Sequence, residues 1–308
     1  MNELKMEKKR ITKKIQYQPL KLTKMERMRK LCSDNASIFS CPICRGSIQI
    51  TQQGDLLCEN NHCFNIARKG YINFMNATHE SFYDKELFAS RGRVFKNGFY
   101  QPVAEELVKT IKSYEELWNK ESFNILDIGC GEGYYLDWIG KDFSSARCFG
   151  IDLSKEAIKA ATLHEKEKIL AIADLTKLPF RNRTFHILLN ILTPANYEEF
   201  SRIQKKQGIF IKVSPGKQYL KEIRERFCYK DYNEERVVEY SKGNMEILEE
   251  RRVYYKKPLT KEDWKDFLYM TPLTAHKQEE RIRQIDFPEK EITIDLNLVV
   301  GRLKGRKR

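Results

Sequence analysis

The run Cys41-Pro-Ile-Cys44, thirteen intervening residues and then Cys58-Glu-Asn-Asn-His62 has the spacing C-x2-C…C-x3-H, with a Gly54 turn between its halves. Two thiolates separated by two residues can turn inward from one tight loop and reach a shared ion at about 2.3 Å, and a second pair completes a tetrahedron. Four protein ligands leave no coordination position for water, so the chemistry implied is a structural zinc site. Two alternatives stay open: Cys63 could replace His62 in a C-x4-C pairing, and the thiols could be reduced core residues without a metal.

A second constellation follows the apolar run Phe123-Asn-Ile-Leu-Asp127-Ile, which leads directly into Gly129-Cys130-Gly131-Glu132-Gly133. A strand that ends in a glycine-rich turn before a helix puts the turn at the carboxyl end of the strand, where open α/β sheets bind ligands. Side-chain-free residues let the backbone approach an adenosine-type cofactor, and Asp152, 23 positions past Gly129, suits both ribose hydroxyls. The spacing discriminates between cofactors. A dinucleotide fold uses G-x-G-x-x-G to seat a pyrophosphate, whereas this loop is G-x-G-x-G with Asp127 two residues before it. A carboxylate there can meet an ammonium group, which S-adenosylmethionine carries and a nicotinamide cofactor lacks. In the turn Ala173-Asp174-Leu175, Asp174 either accepts from the adenine amino group or caps a helix. Cys130 is read as packing, because no histidine lies nearby in sequence to activate it. His79, His164, His186 and His276 have no partner spacing and are read as surface or core fillers.

Candidate strands at 123–127, 147–151, 168–173, 185–192 and 208–213 alternate with helix-like runs at 154–164 and 195–204, the pattern of a doubly wound parallel sheet. Val103, Leu107, Ile111 and Leu117 recur at helical spacing ahead of them, and Phe64 to Phe74 predicts short strands under the metal site. Residues 76–98 form a polar connector, helical from Asp84, whose Arg91, Arg93 and Lys96 either face phosphate or form a solvated face. Signals weaken beyond residue 214 until Glu291 to Val300, which alternates as a final strand.

The chain has 308 residues, 41% hydrophobic and 32% charged, enough apolar surface for a packed core. No window approaches the roughly 18 apolar residues of a membrane span. No secretory signal is evident at the N-terminus, so the expected compartment is the cytoplasm. The formal charge of +13 is concentrated at the ends. Residues 1–30 carry eleven basic and three acidic side chains, and residues 301–308 carry five basic and none acidic. Such arms suit a polyanion, since lysines and arginines displace counterions from phosphates without a fixed fold; solubility is the plainer alternative.

In combination these motifs resemble the ribosomal RNA large subunit methyltransferase A family, which methylates N1 of a guanine in 23S rRNA. The resemblance covers about residues 38–300. It rests on the cysteine and histidine cluster, Lys69-Gly-Tyr-Ile-Asn73, Gly98-Phe-Tyr-Gln101, Asp127-Ile-Gly-Cys-Gly-Glu-Gly-Tyr-Tyr135 and Pro194-Ala-Asn-Tyr-Glu-Glu-Phe200. The last of these, with Ile211-Lys-Val-Ser-Pro215 and Leu220-Lys-Glu-Ile-Arg224, is most similar to the Gram-positive branch associated with macrolide-type resistance.

The resemblance implies an α/β fold, a Rossmann-like class I S-adenosylmethionine-dependent methyltransferase with a mostly parallel seven-stranded sheet and a small N-terminal zinc-binding domain. The implied divisions are a basic, flexible arm at 1–37, the zinc domain at 38–75, a linker or helix at 76–99, the methyltransferase domain at 100–300 and a basic tail at 301–308. It further implies zinc on Cys41, Cys44, Cys58 and His62, a hairpin of 23S rRNA as substrate, and a homodimer. Tyr100, Gly131, Glu132 and Gly133 would touch S-adenosylmethionine beside Asp127, Gly129, Asp152, Asp174 and Leu175. Tyr219 stands where members often carry histidine, and a phenol there can also donate a hydrogen bond. After the fourth strand, Asn196 is placed to bond the pairing edge of the guanine and Tyr197 to stack on it, unless the segment is simply a proline-stopped strand.

Overall fold

A computed structural model of the chain describes residues 22–75, 85–118, 122–163, 167–227, 234–271, 274 and 290–305. Its N-terminal part supplies helix α1 (Lys24–Asp34) and strands β1 (Ile48–Ile50), β2 (Leu56–Cys58), β3 (Cys63–Phe64), β4 (Ile66–Ala67) and β5 (Tyr71–Asn73). Helices α2 (Lys85–Lys96) and α3 (Gln101–Tyr114) lead into the alternation β6 (Phe123–Ile128), α4 (Tyr134–Asp142), β7 (Ala146–Asp152), α5 (Lys155–Ala161), β8 (Ile169–Ile172), β9 (Phe185–Ile191), α6 (Tyr197–Ile203) and β10 (Gln204–Pro215). The C-terminal part holds α7 (Lys221–Arg226), α8 (Glu234–Asn244), β11 (Met245–Pro258), α9 (Lys261–Met270) and β12 (Glu291–Leu303).

Beta-strands 6 to 10 are parallel to their neighbours because a helix returns the chain between most of them; β12 runs antiparallel against β10 and pairs with β11 as a long edge ribbon. The order across the sheet is β11-β12-β10-β9-β6-β7-β8-β5-β4. The seven strands expected are therefore present, and two strands from the N-terminal part extend the sheet beyond β8. Every residue of β6 is buried, as a strand covered on both faces requires. Its alternate side chains divide between two cores: Phe123 and Ile125 pack with α3, α4 and α9, while Leu126 and Ile128 pack with α6 and the cysteine-rich part.

Two expected boundaries are corrected. Residues 24–34, expected within a flexible arm, form a helix started by a Thr23–Glu26 capping box, with Met28 and Cys32 buried in the second core. Only residues 1–21 of that arm lie outside the described residues. The cysteine-rich part is also not separate from the large sheet, because Ile72 and Asn73 of β5 pair with Ala171 and Ile172 of β8. Apolar contact reinforces the join, with Phe39 stacked 6.0 Å from Phe180 and Phe64 5.1 Å from Phe74. At the other end, β12 runs through Leu303 into the expected tail, whose residues 306–308 lie outside the described residues.

A polar tie crosses the same join. Arg45, in the turn between Cys44 and Gly46, donates to Glu199 Oε1 (2.8 Å) and to the Leu178 carbonyl (2.9 Å). Glu199 on α6 also accepts from Arg202 and from the Leu178 N–H (2.9 Å). Burial pushes the Glu199 pKa up, but the bonds and charge of Arg202, the Leu178 N–H and Arg45 outweigh it and hold the carboxyl below the usual range. Stabilisation from such a group is present above the unfolded carboxylate pKa and is lost as pH falls through the lower folded value. Glu199→Gln is expected to cost about 1–3 kcal/mol at pH 7 in urea denaturation, and the gap from wild type to close below about pH 4.

Candidate functional site

The turn after β6 lies where strand order reverses, with β7 on one side and β9 on the other, so a crevice opens at the carboxyl ends of the strands. Gly129, Gly131 and Gly133 have φ of 78°, 55° and 77°, a region that L side chains enter only with strain. Space is as restrictive as torsion: a Cβ on Gly129 would lie 2.7 Å from Thr193 Oγ1, and one on Gly131 would lie 2.6 Å from Arg91 Nη2. The N–H groups of Gly129 and Cys130 both donate to the Ile151 carbonyl (2.9 Å), fastening the turn to β7. Asp152 secures it from the side, accepting from the Gly131 N–H (2.9 Å) and the Ser154 N–H (2.8 Å). Each Asp152 oxygen retains a lone pair for a further donor.

Asp127 stands apart from these satisfied groups. It is 1% exposed, and neither carboxylate oxygen has a hydrogen-bond partner. Burial, then the negative charge of Asp152, pushes its pKa up to about 7, with Arg91 and Lys168 pulling the other way. Glu132 forms an ion pair with Arg91 (3.2 Å) across the turn. The Tyr100 and Tyr219 hydroxyls meet at 2.6 Å, and burial drives both phenols upward, Tyr219 to about 12. At neutral pH both phenols are therefore protonated, and one O–H remains available as a donor. Asp174 follows β8, joined to the crevice through the Ala173 N–H bond to the Asp152 carbonyl (3.1 Å), with its own Oδ1 accepting from the Thr176 N–H (2.8 Å). It caps a turn rather than a helix, and Leu175 beside it is half-buried. Cys130 is buried with its thiol pKa raised well above normal by burial, and its Sγ would be 2.9 Å from a Cβ on Gly150, in keeping with packing. These groups fit an adenosine cofactor bearing an ammonium: buried acceptors, a close-approach backbone and an unsatisfied carboxylate.

A cavity of about 580 Å³ adjoins the crevice, lined by Thr193, Pro194, Tyr197, Lys212, Ser214 and Tyr240 among others. Here the structure gives packing roles to the two residues expected at the base. The Asn196 side chain caps α6, its Oδ1 accepting from the Glu199 N–H (3.0 Å), so that oxygen is already engaged. Tyr197 is buried, its hydroxyl bonded to Ser241 (2.8 Å) and its ring edge-on to Phe210 and Tyr240, which makes it a wall of the cavity and not a free stacking platform. The sequence reading missed Lys212 and Asn190. Lys212 Nζ donates to Asn190 Oδ1 and to the Thr193 carbonyl (2.6 Å), and Asn190 Nδ2 donates to the Pro194 carbonyl (3.0 Å), so the pair holds the loop 192–196. Burial lowers the lysine to about 8. A lone lysine inside the apolar run Ile209-Phe-Ile-Lys-Val213 was the available signal. Of the connector's cations, Arg93 is half-exposed but engaged with Asp266 and Glu86, and Arg91 lies against the glycine turn, paired with Glu132. His186 accepts from the Asn124 N–H (2.9 Å) and burial lowers it to about 4, a core role; His79, His164 and His276 lie outside the described residues.

The ligand atoms of Cys41, Cys44, Cys58 and His62 all fall within 4.8 Å of one another. Cys44 and Cys58 sulfurs are 3.8 Å apart, and His62 Nδ1 is 3.5 Å from Cys41 Sγ and 3.3 Å from Cys58 Sγ. Tetrahedral zinc with bonds of about 2.3 Å to sulfur and 2.0 Å to nitrogen requires ligand separations of roughly 3.5–3.8 Å, so the four atoms fit. Cys63 is exposed and its sulfur turns toward Asn65.

Together the switch-point glycine turn, the acidic crevice and the cysteine-histidine cluster, held on a separate three-stranded sheet β1-β2-β3 that packs beside the large one, define a methyltransferase-type domain carrying a zinc ribbon. Comparison with known proteins agrees: residues 39–81 match the family described as the N-terminal zinc ribbon of RlmA, and residues 126–211 match a methyltransferase domain. A Bacillus subtilis protein provisionally named as a 23S rRNA (guanine-N1)-methyltransferase, YxjB, is 34% identical over 276 residues, 86% of this chain and 97% of that one. The 23S rRNA (guanine(748)-N1)-methyltransferase of Streptomyces fradiae is 26% identical over 270 residues, 85% and 95% of the two chains. The chain belongs to this 23S rRNA (guanine-N1)-methyltransferase family.

Metal content should follow the geometry. Cys58→Ser is expected to lose bound zinc and lower the melting temperature of the whole chain in one transition, because the ribbon shares its core with the large sheet. Cys63→Ser should keep one zinc per chain by elemental analysis, and loss of zinc there would place Cys63 in the ligand set.

Proposed function

We propose that this protein transfers a methyl group from S-adenosylmethionine to N1 of a guanine in a hairpin loop of 23S rRNA. The observation that carries the reading is Asp127, a buried carboxylate with two unpartnered oxygens at the carboxyl end of the central strand, beside a turn that admits only backbone. Membership in the family supports the substrate, which sets the cytoplasm as the place of action. Zinc held by Cys41, Cys44, Cys58 and His62 and assembly as a homodimer belong to the same reading.

The cofactor, when bound, supplies an electrophilic methyl group for a single displacement. Asp127 provides the counter-charge for its ammonium, Asp152 accepts from the ribose hydroxyls, and Asp174 and Leu175 border the adenine. Gly129, Gly131, Glu132 and Gly133 shape the turn, and the Tyr100–Tyr219 pair offers one O–H from the opposite wall. Guanine N1 lies on the pairing edge and carries a proton at neutral pH, so the base must leave its partner and enter the cavity beside the turn, and the N1 proton must pass to water or a carboxylate as the N1–methyl bond forms and the methyl–sulfur bond breaks. Lys212 and Asn190 fix the loop 192–196 that borders the cavity, and the Tyr197 ring closes its side. Asn196 acts through α6, whose first turn it caps. Alignment of nucleophile and leaving group is the principal contribution of such a site.

Incubation with unmodified 23S rRNA and S-adenosylmethionine is expected to create one reverse-transcriptase stop at a guanine, because N1 methylation blocks pairing; absence of any stop overturns the reading. Asp127 gives a second check by calorimetry. Its raised pKa of about 7 means that a cationic ligand must displace a proton below neutrality, so affinity for S-adenosylhomocysteine should be flat above pH 7 and fall by up to about tenfold per unit below it. Asp127→Asn should bind at least about tenfold more weakly at pH 8 and lose that pH dependence.

A further inference from the structure

We infer that Arg91 is the residue that binds the α-carboxylate of the cofactor's methionine part, a role that rests on the cofactor reading above and extends it. The guanidinium comes from α2, outside the methyltransferase core, and reaches over the glycine turn. A Cβ on Gly131 would lie 2.6 Å from its Nη2 and 3.3 Å from its Nη1, so both terminal nitrogens sit against the backbone that faces the crevice. It meets Glu132 at Nε (3.2 Å), and among the described residues neither terminal nitrogen donates a hydrogen bond. A guanidinium presents its donors as a planar fork matched to a carboxylate, and here the outer face of that fork remains open.

Arg93, two residues further along the same helix, shows what a purely structural arginine looks like in this fold. Its Nε and Nη2 are used on Asp266, Glu86 and Ser90 at 2.7–3.0 Å, tying α2 to α9. Charge complementarity separates the two further. The crevice presents three carboxylates, Asp127, Glu132 and Asp152, which suit the sulfonium and ammonium of the donor but not its own carboxylate. Lys168 approaches the turn near Gly133, yet its side chain is buried and paired with Asp137. Among the described residues at the turn, Arg91 is thus the cation with donors to spare. Its distance from Gly131 also explains why that position excludes a side chain: the glycine makes room for the guanidinium as well as for the ligand.

The test is a two-by-two calorimetric comparison on the full, zinc-replete chain. The ligands are S-adenosylhomocysteine and its decarboxylated analogue, which keeps the adenosine, thioether and amino group; the proteins are wild type and Arg91→Met, with Arg91→Lys as a milder variant. Wild type is expected to prefer the carboxylate-bearing ligand by about 10- to 100-fold. In Arg91→Met the preference should collapse to under about threefold through weaker S-adenosylhomocysteine binding, with the decarboxylated analogue bound much as before. Arg91→Lys, a point charge without the fork, should fall between. Wild-type indifference to the carboxylate overturns the assignment whether or not the variants fold, and so does a preference that survives in Arg91→Met. Failure of the wild type to bind S-adenosylhomocysteine at all overturns the cofactor reading itself, and the Arg91 assignment with it.

Discussion

The site depends on a carboxylate that the fold buries without satisfying. Among the described residues no donor meets Asp127, so ionising it out of water is costly, and the nearby charge of Asp152 adds to that cost. The sheet enforces it, because Asp127 lies inside a strand whose every residue is buried and whose ladder with β7 and β9 leaves the side chain no route to solvent. The energy is returned when a cation enters the crevice. A ligand with positive charge on two atoms within a few ångströms of three carboxylates relieves a repulsion already present in the empty site, so binding and charge balance are the same event.

The zinc ribbon can be understood as an answer to a second constraint. Strands β1 to β5 are two or three residues long and cannot bury enough apolar area to hold themselves together, so a metal must close the cysteine turns. Once closed, the ribbon works as a rigid plate against one face of the sheet. Phe39 meets Phe180, β5 extends the sheet beyond β8, and Arg45 in the first cysteine turn reaches Glu199 on α6. That helix begins at Asn196, directly after the loop that Lys212 and Asn190 hold at the cavity. A single residue, Glu199, links the metal turn to the cavity loop: its carboxylate accepts from Arg45 and its N–H donates to Asn196. The ribbon therefore bears on the position of the cavity wall as well as on stability.

Features with strict spacing were legible in the sequence. The cysteine pairs, the glycine turn and the strands from β6 to β10 follow from local rules, since continuous apolar runs and positive-φ glycines carry their own signature. Features set by tertiary contact were not. The ribbon β11 carries Glu-Glu-Arg-Arg and Lys-Lys pairs and a register shift near Ile247, so its alternation breaks although its exposed edge is normal for a strand that must avoid further pairing. Helix α1 read as a cationic arm because its charges outnumber its two buried residues, yet the Thr23–Glu26 box marks its start. Asn196 shows the limit from the other side: its position suggested a base contact, while its side chain is the ordinary helix cap that its residue type also predicts.

The charge pattern bears on how RNA and cofactor share one protein. The chain is basic overall, with its excess at both ends, whereas the crevice at the glycine turn is lined by Asp127, Glu132 and Asp152. Such carboxylates repel a phosphate backbone, so the turn itself does not draw in the strand. The cavity beside the turn is bordered mainly by apolar, tyrosine and small hydroxyl side chains rather than by exposed cations. Lys212, the one lysine there, is turned onto Asn190 and the Thr193 carbonyl, which removes it as a phosphate trap. On the proposed function, this arrangement would admit a base extruded from its strand and not the strand itself, as chemistry on a pairing edge requires.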